Sequence, residues 1–153
     1  MIDSKLVDFI HAAEFWCVGT VDARLKPHGA HVMGGRINGE TGQITIFIPD
    51  ALAGQAVEDM KATRRAAVNI AEGVHHETYQ LKGEVLDVHP LTAQEGAVLE
   101  IYMAKLGAAL VAFGLPVQDW KFPPMQPCQT AVIKVTDIYF QTPGPRAGER
   151  IGP

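Results

Sequence analysis

The first half of the chain, residues 15–88, restricts the fold more than any other part of the sequence. Short apolar runs that indicate strands are separated by tight turns, and one short helix at about 52–63 interrupts them. The turn at 38–42 contains Asn38-Gly39, a pair that accepts the positive φ angles of a hairpin. Strands joined by tight turns favour antiparallel pairing over a parallel sheet. The order of elements therefore predicts a small antiparallel barrel.

Six strands and two longer helices are predicted around the short crossing helix. The strands are expected at 15–22, at about 27–37, at Gln43–Pro49, at Arg65–Ala71, at 78–88 and at 130–140. One long helix is predicted at 4–13, and Thr92 and Glu95 match a capping box that begins the other. The apolar phase shifts within the two last strands, as it does at a β-bulge. We expect one domain over 1–153, with a Gly/Pro-rich tail at 141–153.

Length and charge also restrict the function. The chain has 153 residues, of which 47% are hydrophobic, enough to bury one sizeable core. Its formal net charge is −4 and it has no block of Lys or Arg, so nucleic acid and membranes are not expected as partners. The sequence has neither a signal-peptide pattern nor an apolar run of about 18 residues. We therefore expect a soluble, cytoplasmic protein.

The sequence offers few groups for catalysis. Cys17 has apolar neighbours in a predicted strand and lies far from Cys128, so it is interpreted as a reduced core residue. His28 and His31 are three residues apart on a strand and therefore point to opposite faces, which argues against a shared metal. The carboxylates of the short helix, Asp59 among them, are interpreted as solvated charges. Because no metal site, catalytic triad or phosphate-binding loop is recognised, any chemistry is expected to come from a cofactor.

Several motifs, taken in order, resemble the FMN-binding split-barrel family related to pyridoxamine 5′-phosphate oxidase. The first strand ends in Gly-Thr-Val-Asp at 19–22 and is followed by Pro27-His28. A hairpin, a crossing helix and a basic-Ala-Val strand come next, and then a strand with a central glycine in Lys-Gly-Glu-Val at 82–85. The segment Tyr-Phe-Gln-Thr-Pro-Gly at 139–144 also resembles family members. The resemblance covers residues 15–88 and the last strand.

The resemblance implies a fold, a cofactor and an assembly. It implies a mainly β, six-stranded antiparallel split barrel with flanking helices, and a homodimer that holds FMN between its subunits. The flavin ring is expected against strand backbone, and its phosphate near the crossing helix. Carried over by position, the residues expected at the ring are His31, Val32 and Met33 of the second strand and Ile48, Pro49 and Asp50 at the end of the third.

The start of the crossing helix departs from the family pattern. A Ser-Arg-Lys type segment is expected there, whereas this chain has Gly54-Gln55-Ala56. The phosphate is then expected to use helix N-terminal amides or polar side chains of this region. Those side chains are Gln55, Lys61, Arg64 and Arg65. Trp120, in an aromatic- and Pro-rich loop at 115–129, is a candidate to cover the ring or the dimer seam.

These observations lead to one expected function and two alternatives. The expected protein binds FMN and is a flavin-dependent oxidoreductase acting on an unknown small molecule, without being a true pyridoxamine 5′-phosphate oxidase. One alternative, motivated by Ala56, is a non-catalytic split-barrel protein that has lost tight FMN affinity. The other is the same barrel with haem or a deazaflavin as cofactor. No residue is assigned as a general acid or base.

Overall fold

A computed structural model describes residues 1–115 and 122–153 of the chain. Its helices are α1 Ser4–Ala12, α2 Asp50–Ala53, α3 Ala56–Thr63 and α4 Ala93–Ala112. Its strands are β1 Phe15–Val21, β2 Pro27–Val32, β3 Gly35–Asn38, β4 Gln43–Pro49, β5 Arg65–Ala71, β6 Thr78–Pro90, β7 Cys128–Phe140 and β8 Glu149–Gly152. None of the helices within these two ranges has the length and apolar character needed to cross a bilayer.

The strands form one antiparallel sheet that closes on itself. Its order is β2-β1-β5-β6-β7-β4-β3, and β8 pairs with β7. The amide of Met33 donates to the carbonyl of Phe47 at 2.8 Å, and the amide of Phe47 donates to the carbonyl of Gly34 at 3.1 Å. These two hydrogen bonds join the end of β2 to β4. Because β2 and β4 lie near opposite ends of the strand order, the bonds close the sheet into a barrel. The predicted antiparallel barrel is confirmed.

Side-chain alternation along the strands fills the barrel with one core. In β1, Trp16, Val18 and Thr20 are buried, whereas the residues between them are only partly buried. In β4 both faces are buried, because α4 packs on the outer side of this strand. Phe47 on that side packs with Leu99 of α4. The outer surface of the barrel is therefore divided between strands that α4 covers and strands that it leaves open.

Three predicted boundaries are wrong. The strand expected at 27–37 is divided into β2 and β3, because Gly34 adopts a φ of 73° between them. The helix expected at 52–63 is divided into α2 and α3 around Gly54, whose φ is 51°. The tail at 141–153 contains β8, which pairs with β7. The described sheet therefore has eight strands rather than six.

The predicted capping box and bulges are confirmed. The Thr92 hydroxyl accepts from the amide of Glu95, and the Glu95 carboxylate accepts from the amide of Thr92 at 2.9 Å. The pairing of β6 with β7 shifts register twice, which leaves Leu86 and Thr136 without a partner residue. Each shift falls where the apolar phase of the sequence changes. Bulges at these points increase the local twist and bend that a closed sheet needs.

Candidate functional site

The outer surface of the barrel consists of two halves. In the covered half, formed by β4 and β7, α4 buries the outward side chains, so that Phe47 and Thr130 are 0% exposed. In the open half, formed by β1, β2, β5 and β6, the outward side chains line two cavities. We name them the upper cavity, beside α4, and the lower cavity, beside the end of α3.

The upper cavity is apolar and has a volume of about 500 Å³. Residues of β1, β2 and β5 form its floor, and Leu52 of α2 lies at one side. The wall on the side of α4 consists of Tyr102, Leu106 and Leu110, with Phe122 next to them. The described lining contains no carboxylate and neither Lys nor Arg. Such a cavity suits a flat, largely apolar ligand.

A row of three polar side chains crosses the floor of the upper cavity. Cys17 of β1 is paired in register with His31 of β2 on one side and with Asn69 of β5 on the other. Residues directly opposite each other on antiparallel strands have Cβ atoms about 5 Å apart. The side-chain amide of Gln80 donates to Asn69 Oδ1 at 3.1 Å, which fixes the orientation of the Asn69 amide. The three side chains thus converge at one place on the cavity floor.

The position of the α4 wall depends on a close contact between Tyr102 and Gly34. The Tyr102 hydroxyl donates to the backbone carbonyl of Glu14. A Cβ atom at Gly34 would clash with the Tyr102 ring, so only glycine fits at this point. Burial raises the pKa of the Tyr102 hydroxyl, and the nearby Glu14 carboxylate raises it further. The hydroxyl therefore stays protonated and holds the wall as a neutral donor.

The lower cavity is cationic and has a volume of about 640 Å³. Arg64, Arg65 and Lys82 line it, together with the carboxylate-bearing Glu84. The Arg64 guanidinium donates to the carbonyl of Leu86. Lys82 Nζ lies 4.5 Å from the centre of the Tyr139 ring. The structure gives the Arg65 side chain no hydrogen bond or ion pair to any described residue, and this side chain is exposed.

A buried carboxylate attaches α3 to the strands beside the lower cavity. Asp59 of α3 is 2% exposed. Its Oδ2 atom accepts from the Thr20 hydroxyl at 2.8 Å and lies 2.7 Å from Nδ1 of His28. The prediction of a solvated charge at Asp59 is wrong, because helical spacing alone does not reveal a donor supplied by another element. The contacts of Asp59 with Thr20 and His28 hold α3, and with it Arg64, against β1 and β2.

Solved structures with the same fold support this architecture. No protein-family model and no curated protein matches the chain. A structure of an F420 reductase is 15% identical with a TM-score of 0.57, covering 86% of this chain and 93% of that one. A pyridoxamine 5′-phosphate oxidase candidate from Lactobacillus delbrueckii is 13% identical with a TM-score of 0.56, covering 90% and 93%. The heme storage protein HutZ from Vibrio cholerae is 9% identical with a TM-score of 0.51, covering 91% and 94%.

The fold is the split barrel. Neighbours of the pyridoxamine 5′-phosphate oxidase type share it, as the sequence motifs led us to expect. In this split barrel, three of the predicted ring residues lie together at the upper cavity. They are His31, Val32 and Met33. Ile48 and Pro49 are buried at the end of β4, and Asp50 is exposed at the start of α2.

The predicted phosphate residues separate into two groups. Arg64 and Arg65 line the lower cavity. Gln55, just before α3, and Lys61, within it, are exposed and line neither cavity, and Lys61 pairs with Glu58 at 3.1 Å. Trp120 lies outside the described residues.

Ala56 is fully buried in the core of the split barrel. The first helical position of α3 is therefore a core position in this chain.

Several residues that line the two cavities of the split barrel were not predicted as site residues, among them Cys17, Asn69, Lys82 and Tyr102. The interpretation of Cys17 as a core residue is wrong, since it is only half-buried and lines the upper cavity. The signal was present in the sequence, because alternation with Trp16 and Val18 places Cys17 on the opposite face.

His28 and His31 do lie on opposite faces of β2, as predicted. Within residues 1–115 and 122–153, no group of three or more His, Cys, Asp or Glu side chains is arranged to hold a metal ion.

Proposed function

We propose that this split barrel binds FMN along its open half and acts as a flavin-dependent oxidoreductase on a small molecule. One observation carries the proposal: an apolar cavity and a cationic cavity lie on the same outer face of β1 and β5. FMN has the same two parts, a flat and largely apolar ring and a phosphate. The sequence motifs and the split-barrel neighbours support a cofactor of this type.

The two cavities are separated only by small side chains. Gly19 of β1 and Ala67 of β5 are paired in register and lie between the cavities. Arg65 at the lower end and Asn69 at the upper end are four residues apart on β5, a span of about 13 Å along a strand. Because Gly19 and Ala67 carry no bulky side chains, we expect that a ligand can extend across them from one cavity to the other. An elongated ligand fits this arrangement better than a compact one.

The upper cavity supplies the groups that would hold a flavin ring. His31 and Asn69 present polar groups to a ring edge, and Met33 presents apolar surface, whereas Val32, which also lines the cavity, is only 1% exposed. When bound, a flavin supplies hydride transfer, and the protein binds and orients the reaction partners. The described lining offers no carboxylate that would repel a reduced, anionic ring.

The lower cavity supplies cations for the phosphate. Arg65 is exposed and has no partner among the described residues, so its guanidinium can form a bidentate contact with phosphate oxygens. Arg64 and Lys82 add two positive charges beside it. Gln55 and Lys61, which line neither cavity, are not part of this proposal. The phosphate is assigned to the start of β5 rather than to the start of the crossing helix.

A homodimer is the second part of the proposal. The outward side chains of β1 and β5 are small over their middle, where Gly19 and Ala67 lie, so a second copy can approach this face closely. A second copy placed there would cover the two cavities and exclude water from the flavin. Light scattering of the purified chain tests the assembly, and a monomeric mass would contradict a site between subunits.

FMN binding is tested by titration of the purified chain. We expect flavin absorbance near 450 nm, released on denaturation, or saturable binding of added FMN. Arg65→Ala should weaken FMN binding by about tenfold or more but change riboflavin binding little, because riboflavin has no phosphate. Lys61→Ala is the matched control and should leave both affinities unchanged. A colourless protein that does not bind FMN at tens of micromolar (about 10⁻⁵ M) would refute the proposal.

The same measurement separates the other cofactors. His31 is an exposed imidazole at the cavity with no hydrogen bond to a described residue, a suitable axial ligand for haem iron, and HutZ shares the fold. A Soret band on addition of haem, lost in His31→Ala, would favour haem over FMN. Tight binding of a deazaflavin but not of FMN would favour the chemistry of the F420 reductase. Binding of none of them would favour a non-catalytic split barrel.

A further inference from the structure

We propose that Cys17 is a reactive thiol, with His31 as its proton acceptor, that adds to small α,β-unsaturated carbonyl compounds in the upper cavity. This inference does not rest on flavin binding. It starts from the row that crosses the cavity floor, in which Cys17 lies between His31 and Asn69 on three adjacent strands. All three side chains line the same cavity of about 500 Å³. The thiol is therefore not an isolated cysteine in a core.

The two cysteines of the chain lie in different environments. Cys17 is half-buried, is free of disulfide bonding, and lines an apolar cavity that a small molecule can enter. Cys128 is 2% exposed, beneath α4, and its thiol donates to the carbonyl of Gln129 at 3.6 Å. Burial raises the pKa of the Cys128 thiol to about 11, which suppresses its reactive thiolate. The protein thus carries an internal control for any thiol reagent.

His31 is available to take a proton. Three other histidines, His28, His75 and His89, lie within hydrogen-bond distance of carboxylates. His31 has no hydrogen bond or ion pair to a described residue, Cys17 included, and it is the residue directly opposite Cys17 in the strand register. A thiol becomes nucleophilic when a neighbouring imidazole accepts its proton. An imidazole without a competing partner fits this role.

The Asn69 side chain supplies hydrogen-bond donors for the negative charge that develops during the addition. Its Oδ1 accepts from Gln80, which leaves the two N–H donors of its amide for a ligand in the cavity. When the Cys17 sulfur attacks the β-carbon of an enone, negative charge develops on the carbonyl oxygen, and an amide donor stabilises it. The imidazolium of His31 then gives its proton to the α-carbon. The S–H bond and the C=C π bond break, C–S and C–H bonds form, and no oxidant or reductant is needed.

The cavity lining determines the size and polarity of the electrophile. Phe15, Leu106 and Leu110 give apolar surface around the thiol, and the described lining carries no arginine or lysine to bind an anionic substrate. A small uncharged enone meets these conditions. An anionic electrophile such as a carboxylated enone is expected to react more slowly.

The experiment measures the reaction of the full chain with 2-cyclohexenone, followed by intact mass and peptide mapping. We expect a single adduct, on Cys17 and not on Cys128, formed at least about tenfold faster than with N-acetylcysteine at pH 7. His31→Gln should slow it by about tenfold or more and remove the imidazole inflection from the pH–rate profile. His75→Gln, an exposed loop histidine, is the matched control and should react like the unaltered chain.

Two results would overturn the inference. One is reaction at Cys17 no faster than that of N-acetylcysteine, which requires no variant and therefore no assumption about folding. The other is a His31→Gln rate and pH profile identical to those of the unaltered chain. The rate of Cys17 modification measured with added FMN tests only where the flavin ring binds. Protection of Cys17 by FMN supports a shared cavity, and lack of protection refutes the ring placement without affecting the thiol result.

Discussion

The covered half and the open half of the barrel surface are built from the same antiparallel strands, yet their outward side chains differ. In the covered half, large apolar groups such as Phe47 pack under α4, and the polar Thr130 hydroxyl donates to Glu95 at 3.0 Å. In the open half, the outward positions hold small residues, a thiol, an imidazole and the cations of the lower cavity. A side chain that serves stability is large or fully hydrogen-bonded, whereas a side chain that serves binding is left accessible.

The surroundings supplied by neighbouring elements also distinguish the two cysteines from each other, and two of the exposed cations from each other. Cys128 and Cys17 are both on outward faces of strands, but Cys17 borders the upper cavity whereas Cys128 is buried beneath α4. Lys61 and Arg65 are both exposed cations near the end of α3; Lys61 pairs with Glu58, whereas Arg65 has no ion-pair partner within residues 1–115 and 122–153. Residue type by itself does not distinguish the two members of each pair. They differ because of the helix that covers them or the neighbouring elements that they contact.

The largest expected effect is on Phe47, at the centre of the covered half. Phe47→Ala removes a ring that is 0% exposed and should lower the free energy of unfolding by about 3–5 kcal/mol. Cys17→Ala in the open half should cost less than about 1 kcal/mol, because Cys17 borders a cavity. Urea denaturation of both variants measures the contrast. Equal losses would mean that the two halves do not differ in packing.

The junction between the halves is the next test. Gly34→Ala places a methyl group against the Tyr102 ring at a φ of 73°, and should cost about 1–3 kcal/mol. It should also displace Tyr102 and alter the upper cavity. Gly107→Ala, in α4 with open space at its Cβ position, should instead stabilise the protein by about 0.5–1 kcal/mol. Thermal denaturation of both variants measures these changes in stability. A Gly34→Ala variant that is more stable than the unaltered chain would contradict the close contact between Gly34 and Tyr102.

The start of α4 should make the covered half sensitive to pH. Burial raises the pKa of Glu95, but hydrogen bonds from Thr92, Thr130 and His89 outweigh it and hold this pKa below its ordinary value of 4.5. Burial lowers the pKa of His89, but the Asp87 and Glu95 carboxylates outweigh it and raise this pKa above 6.5. The Glu95 contribution is therefore lost as pH falls below 4.5, and the His89 contribution as pH rises above 6.5.

Unfolding measured in urea from about pH 4 to pH 8 tests this cluster. Glu95→Gln should cost about 1–3 kcal/mol near pH 6, because it removes a charged acceptor from several donors. The cost of His89→Gln should fall as the pH rises above 6.5, because the Asp87 and Glu95 carboxylates raise the pKa of His89 and the charged form that they stabilise is lost in that direction. A His89→Gln cost that grows as the pH rises would contradict the assignment.

The smallest effect is expected at Lys61. Its ion pair with Glu58 is solvent-exposed on both sides, so Lys61→Ala should change the free energy of unfolding by less than about 0.5 kcal/mol. The same variant is the control for FMN binding. A loss of FMN affinity in Lys61→Ala would contradict the assignment of the phosphate to the lower cavity and would place it at α3 instead.

Local signals in the sequence predicted much of the fold. The alternation of Ile44, Ile46 and Ile48 indicated one face of β4, and the structure buries all three. The capping box at Thr92 and the phase shifts in the two long strands were also readable, because each depends on residues a few positions apart. The group of His31, Val32 and Met33 was identified through the family resemblance, and these residues do share a cavity.

The errors came from contacts between distant parts of the chain. The break at Gly34 depends on Tyr102, a residue of α4. The burial of Asp59 depends on donors from β1 and β2. The position of Cys17 was derivable from alternation, but its apolar neighbours suggested a core residue instead. Boundaries and burial were therefore least predictable where one element touches another.

The sequence by itself determined the order of the elements, the antiparallel pairing and the faces of each strand, because these follow from side-chain period and turn chemistry. Only the tertiary structure decided which outward faces become core and which become cavity. That outcome depends on α4, which covers β4 and β7 and leaves β1 and β5 open. It also depends on strand register, which places His31 and Asn69 on either side of Cys17. Covering and register are long-range properties, so no local pattern reveals which outward side chains of the first-half strands line a cavity.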